Sequence, residues 1–165
     1  MAAHKAVINV SASVLPDNIK TGVSGTATYN LNDVGSDNKW VHYINSVGAA
    51  AEPCLPDGIP YLTASAGETG APDSTTTATD DLGLIVIKHT GYQGDGTTKT
   101  ALNTKLYINT AHGADADNAA GSMYLLPGEV WWGRFIHSDF TDISLEASTG
   151  TINVGIYAVA DDGGV

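Results

Sequence analysis

Few residues in this chain have the types and spacing that chemistry requires. Gly91-Tyr-Gln-Gly-Asp-Gly96 follows an apolar run, as a phosphate loop follows a strand. A phosphate loop needs Lys and then Ser/Thr directly after its last glycine, opening a helix. Here Thr97 and Thr98 come next and Lys99 stands too late, so the stretch reads as a hairpin loop. Gly22-Val-Ser-Gly-Thr26 has Thr26 where a nucleophile elbow needs glycine, and nothing helical follows, so Ser24 is not a catalytic serine. The five histidines are His4, His42, His89, His112 and His137. No two have the one-helix-face spacing of zinc hydrolases, and they read as partly exposed strand and loop residues.

The carboxylates are equally sparse in pattern. Asp115-Ala-Asp117-Asn118 starts like a calcium loop, but Ala119, Ala120 and Leu126 replace the ligand, the glycine and the bidentate glutamate that an EF-hand needs. Only an irregular calcium site stays open there, and no metal is expected. Glycoside hydrolysis needs two carboxylates about 5–10 Å apart. The glutamates are Glu52, Glu68, Glu129 and Glu146. Glu129 stands close to Trp131 and Trp132, as beside a sugar platform, yet the start of a buried aromatic strand is the simpler reading. Cys54, alone between Pro53 and Pro56, has no visible cation to activate it and reads as a partly buried small residue. No catalytic residue and no cofactor is expected, so the chain reads as non-enzymatic.

Composition narrows the partners. The formal net charge is −11, and the seven basic residues are scattered from Lys5 to Arg134. No basic stripe can form, so no nucleic acid is expected. An anionic membrane would repel the chain, and no run reaches the roughly 18 apolar residues of a span. The single cysteine and the absence of an apolar leader fit synthesis in a reducing cytoplasm.

The elements that position these residues are strands. Charged residues are only 15% of the chain, and Thr, Ser, Asn and Gly take their place. Period-2 alternation marks 5–12, 105–109, 142–147 and 152–159, with Ile152, Val154, Ile156 and Ala158 on one face. Weaker strands are expected over 24–30, 39–46 and 60–64. Turns are expected at 35–38, Pro56-Asp-Gly58, Gly94-Asp-Gly96, Pro127-Gly128 and Thr149-Gly150. The firmest local expectation is a hairpin over 141–159 turning at Ser148-Thr149-Gly150. Residues 64–81 read as a long surface loop, and the Ala-rich stretches 47–52 and 118–121 could hold a short helical turn. Together these predict an all-β chain, an antiparallel β-sandwich with long surface loops, as a single domain over 1–165.

Two strands are apolar on both faces. In 129–137, Val130, Trp132 and Ile136 oppose Trp131, Phe135 and His137; in 82–88, Leu82, Leu84 and Val86 oppose Ile85 and Ile87. Such strands are normally covered on both sides, in a sandwich by a loop or another chain. A subunit interface through Trp40, Val130, Trp131, Trp132 and Phe135 is therefore expected, since large aromatics dominate interface energetics.

Tyr124-Leu-Leu-Pro-Gly-Glu-Val-Trp-Trp-Gly-Arg134, followed by Thr141-Asp-Ile-Ser-Leu-Glu-Ala-Ser-Thr-Gly-Thr-Ile-Asn-Val-Gly-Ile-Tyr157, resembles small β-sandwich structural proteins of tailed bacteriophages, most of all the capsid decoration (cement) proteins. The resemblance implies a jelly-roll-like sandwich and a homotrimer on the outer capsid surface, made in the host cytoplasm. Its partner would be the major capsid protein, whose neighbouring subunits it would bridge. The alternative is a carbohydrate-binding or fibre-associated adhesion domain that uses the 64–81 and 111–121 loops.

Overall fold

Alternating apolar runs with turn residues between them favour extended chain, and among the described residues of the computed structural model of the protein the regular structure is β apart from one 3-10 turn at Phe140–Asp142. It describes residues 5–12, 23–30, 38–60, 75, 81–110, 123–135 and 139–161. Two compact units divide the chain, Met1–Ser36 and Asp37–Val165.

The first unit holds a two-stranded antiparallel ladder, β1 (Lys5–Ala12) with β2 (Val23–Asn30), in unbroken register from Lys5–Asn30 to Ala12–Val23. Alternation gathers Lys5–Asn30, Val7–Thr28, Asn9–Thr26 and Ser11–Ser24 into one set of cross-strand pairs. In that set Asn9 faces Thr26, both are exposed, and the Thr26 hydroxyl donates to Asn9 Oδ1 at 3.0 Å.

The second unit contains β3 (Asn38–Val47), β4 (Glu52–Pro53), β5 (Asp81–His89), β6 (Leu106–Asn109), β7 (Met123–Leu125), β8 (Val130–Arg134), β9 (Ser144–Ala147) and β10 (Ile152–Asp161). They form two four-stranded antiparallel sheets in a sandwich-like arrangement, ordered β3-β10-β5-β8 and β4-β9-β6-β7. The pairings nest: β6 with β7, β5 with β8, β4 with β9, β3 with β10. Two further ladders, β5 with β10 and β6 with β9, complete the sheets.

The expected 141–159 hairpin is corrected by this order. The chain does turn at Ser148–Gly150, where Gly150 takes a φ of 63°, but β9 and β10 belong to opposite sheets. Ser148 is drawn instead to the β6 entrance: its N–H donates to the Lys105 carbonyl at 2.9 Å, and its hydroxyl accepts from Lys105 N–H at 2.9 Å. Period-2 alternation identifies a buried strand but not its partner, because either pairing buries the same face. Strands β4 and β7 are too short to have shown any period.

Alternation does set the core. Ile152, Val154, Ile156 and Ala158 of β10 join Val41, Val47, Ile85 and Ile87, with Leu106, Ile108, Leu125, Leu145 and Ala147 from the other sheet. Each large side chain fully removed from water contributes about 1.5–3 kcal/mol. Phe140 is buried from the 3-10 turn, which Asp142 closes by accepting the Asp139 N–H on Oδ2 at 3.0 Å. One alternation slips. The register steps from Val159–Leu84 to Ala160–Leu82, leaving Gly83 as a bulge whose carbonyl accepts Phe135 N–H at 3.1 Å. Leu82 therefore joins Ile85 and Ile87 in the core cluster rather than sharing a face with Leu84.

The Pro127-Gly128 turn forms as expected, with Gly128 at a φ of 90° and Glu129 N–H donating to Leu126 O at 2.9 Å. Of the expected strand 60–64, Pro60 makes a bridge to Thr75, and 61–64 lie outside the described residues. Nearly all of the 64–81 loop, the stretch 118–121 and most of the 35–38 turn also lie outside them. Residues 47–52 contain no helical turn.

Candidate interaction surface

The outward side of the β3-β10-β5-β8 sheet carries rows of side chains set by register. One row runs Ile44, Gly155, Lys88, Val130; the next runs His42, Tyr157, Val86, Trp132. Ile44 is 50% exposed, Tyr157 48% and Val130 51%. Val86 and Trp132 are half-buried, and His42 and Lys88 are exposed. The rings of His42 and Tyr157 stack at 4.3 Å with 15° between their planes. In the third row Val159 and Leu84 are buried, with Arg134 exposed at the β8 end. Large apolar groups left half in water on one face of a sheet mark a surface that gains by being covered.

The five residues expected at an interface separate on this frame. Val130 and Trp132 stand in the outward rows. Trp131 and Phe135 pack against the core, with ring centroids 6.1 Å apart and a tilt of 56°. Gly133 between them has no Cβ because one would sit 3.0 Å from both rings. Trp40 pairs with Val159 in the ladder, and its side chain lies outside the description. Sequence reasoning missed Ile44, His42 and Tyr157 as members of the same surface. Their outward parity was legible, but not the adjacency of β3, β10, β5 and β8.

The other sheet shows a smaller aromatic feature outward. Tyr107 and Tyr124 are opposite each other in the β6–β7 ladder, and Lys105 Nζ lies 4.7 Å from the Tyr124 ring centroid. Tyr124 is half-exposed. An open pocket of about 210 Å³ is lined by Gln93, Thr100, Thr104, Thr149 and Thr151, with no titratable side chain among its walls. Thr100 Oγ1 is buried without a partner. Such a lining offers neutral hydrogen bonds only, with no nucleophile and no base.

The residues with chemical potential take structural roles. Asp95 caps its own loop, accepting from Thr97 N–H at 2.8 Å, Thr98 N–H at 2.8 Å and the Thr98 hydroxyl at 2.6 Å. These bonds, led by the hydroxyl, hold its pKa down to about 2. The Gly91–Gly96 stretch is thus a hairpin loop closed by a Tyr92–Lys99 bridge. Ser24 lies inside β2, opposite Ser11. Glu129 Oε2 accepts Leu126 N–H at 2.7 Å and clasps the turn before β8.

Cys54 and His89 are more deeply buried than their sequence contexts indicate. Cys54 is 0% exposed; burial pushes its thiol up to about 12, and it donates to the Phe140 carbonyl at 3.5 Å. His89, expected to be partly exposed, is also 0% exposed, because β5 turns it inward beside Val154. Its Nδ1 accepts Gly91 N–H at 3.1 Å, which leaves the proton on Nε2, and that atom has no partner. Burial lowers its pKa, against the opposing effects of the Thr104 backbone and the Glu129 charge.

Among the described residues no three His, Cys, Asp or Glu side chains gather to hold a metal ion. The Asp115–Asp117 loop and His4, His112 and His137 lie outside those residues. No helix among them is long and apolar enough to cross a membrane. Compared with protein-family models, with curated proteins and with solved structures, the chain matches none.

Proposed function

We propose that the protein is a non-enzymatic virion structural component, a homotrimer that decorates the outer surface of a tailed-bacteriophage capsid. It would bridge neighbouring subunits of the major capsid protein. The observation that carries this reading is the part-exposed apolar surface of Ile44, Tyr157, Val130 and Trp132 on one face of a four-stranded sheet. The resemblance of residues 124–134 and 141–157 to decoration proteins points the same way. The nested strand pairing supports a jelly roll as the finer description of the sandwich, an architecture that occurs in viral capsid and lectin domains.

The mechanism is passive. A protein that binds the closed shell and not the opened one raises the free energy of opening by mass action. A charge of −11 suits the outside of the shell, away from packaged DNA. Synthesis in the host cytoplasm accords with a lone, buried thiol. Mass spectrometry of gradient-purified virions encoded with this chain tests the reading. Many copies per particle are expected, and absence from the virion overturns it.

The lectin-like alternative draws on Tyr107, Tyr124 and Lys105, whose outward aromatic pair could stack on a sugar ring. Binding on a glycan array that Tyr124→Ala abolishes would favour it, and a blank array would remove it.

A further inference from the structure

We infer that His89 is an acid-sensitive latch: its neutral ring holds down the hairpin of residues 91–100, and a proton on Nδ1 releases that hairpin while the 126–129 turn stays in place. The inference goes beyond the virion reading and does not depend on it.

His89 ends β5 and ties two segments to the sheet through different atoms. Its backbone holds the turn: His89 N–H donates to the Glu129 carbonyl at 3.0 Å, and its own carbonyl accepts Gly128 N–H at 2.8 Å. Its side chain holds the hairpin: Nδ1 accepts Gly91 N–H at 3.1 Å. Gly91 is the base of the hairpin, at a φ of 86° that glycine adopts without strain, and its carbonyl accepts Thr100 N–H at 3.0 Å. The Gly91 tether therefore fixes both ends of the hairpin at once. Beyond the latch, Tyr92 O accepts Asn153 N–H at 2.9 Å, and Gly94 N–H donates to Thr151 Oγ1 at 3.2 Å.

A ring nitrogen that accepts a hydrogen bond carries no proton of its own. Protonation there turns the acceptor into a donor and sets it against the Gly91 N–H. The surroundings give the new charge little relief, since His89 is 0% exposed and Nε2 has no hydrogen-bond partner. From β10 it meets Val154, its neighbour in the ladder, and from residues 101–104 the Thr104 backbone acts on it. The Glu129 carboxylate is the one charged group among the described residues that acts on it. Lys88 stands on the opposite face of β5, and Tyr92, Asp95 and Lys99 of the hairpin are exposed. Burial outweighs the Thr104 and Glu129 effects and keeps the ring neutral to below pH 6.5. A released hairpin lets water reach the ring, which then takes up a proton more readily, so acid favours the released state. Gln93 and Thr100 lie on this hairpin and face Thr149 and Thr151 across the open pocket, so release widens that pocket.

Amide hydrogen exchange of the full-length protein, read residue by residue by NMR between about pH 8 and about pH 5, tests the latch. Protection factors corrected for intrinsic exchange should fall together at Gly91 and Asn153 below pH 6.5, approaching about tenfold per pH unit. Gly128, held by the His89 backbone, should keep its protection. In His89→Asn, which retains an acceptor for Gly91 N–H, protection at Gly91 should not vary with pH. Glu129→Gln removes the opposing charge and should move the fall to lower pH. Protection at Gly91 that is flat with pH in the native chain overturns the latch. So does a fall of equal size at Gly91 and Gly128, or one that persists in His89→Asn. The ring nitrogen shifts of native His89 give a check that needs no variant: the Nε2–H tautomer is expected at neutral pH, and an Nδ1–H tautomer overturns the proposal.

Discussion

His42 and Tyr157 face each other directly across β3 and β10, and their rings lie stacked 4.3 Å apart on the outward side of the sheet. The pair joins the edge strand to the centre of the sheet, and it leaves the Tyr157 ring half in water. The same contact thus serves the fold on one side and offers a flat aromatic surface on the other.

Tyr157→Ala should separate these two roles. Loss of one cross-strand aromatic pair costs about 0.2–1 kcal/mol, read as a small fall in the denaturation midpoint. Self-association should fall much further in the same variant. Tyr157→Phe, which keeps the ring, should leave both properties near those of the native protein. A large loss of stability with unchanged association would place the ring in the core instead.

The bulge at Gly83 makes a prediction about two neighbouring leucines. Leu82→Ala should destabilise by about 2–5 kcal/mol, since Leu82 is 1% exposed and packed in the core cluster. Deletion of Gly83 should cost less than that substitution. It restores strict alternation with Leu82 still on the face of Ile85 and Ile87, and removes only the bulge and the carbonyl that accepts Phe135 N–H. Urea denaturation of the two variants compares them.

Cys54 links stability to alkaline pH. Its thiol is raised from 9.0 to about 12 by burial, so the unfolded chain loses this proton first as pH rises. The stabilisation is complete below pH 9 and is lost between there and about 12. The slope from this group approaches about 1.4 kcal/mol per pH unit within that window. Subtracting the stability curve of Cys54→Ala isolates it from tyrosines and lysines that titrate nearby. A native thiol that reacts with maleimide at neutral pH as fast as in denaturant would contradict the burial.

His89 acts at the other end of the scale. Burial lowers its pKa below 6.5, so below that pH the unfolded chain takes up a proton that the folded chain resists. Stability should therefore fall as pH drops through the range under 6.5, and this part of the fall should be absent in His89→Asn. Asparagine keeps an acceptor for Gly91 N–H, so the comparison does not also strip that bond. Equal acid limbs in the two proteins would show that His89 is not held neutral.

The sequence alone determined the strand character of the chain and the inward parity of most core residues. Ile152, Val154, Ile156 and Ala158 alternate with Asn153, Gly155, Tyr157 and Val159, and a two-residue period places the four on one face. It also determined the turns at Gly128 and Gly150, because a positive φ there favours glycine. It exposed the failures of the phosphate-loop and nucleophile-elbow patterns, since those motifs are local in the chain.

Tertiary structure decided everything that depends on which strands are neighbours. β9 and β10 looked like a hairpin and proved to be in opposite sheets, because burying one face of a strand does not specify its hydrogen-bonding partner. Leu82 crossed to the core through a one-residue bulge that no periodicity announces. His89 shares the inward parity of Ile85 and Ile87, and its complete burial beside Val154 appears only in the folded sheet. The outward surface of Ile44, Tyr157, Val86 and Trp132 draws on β3, β10, β5 and β8. These residues are far apart in sequence, and only the long-range pairing of their strands places them side by side.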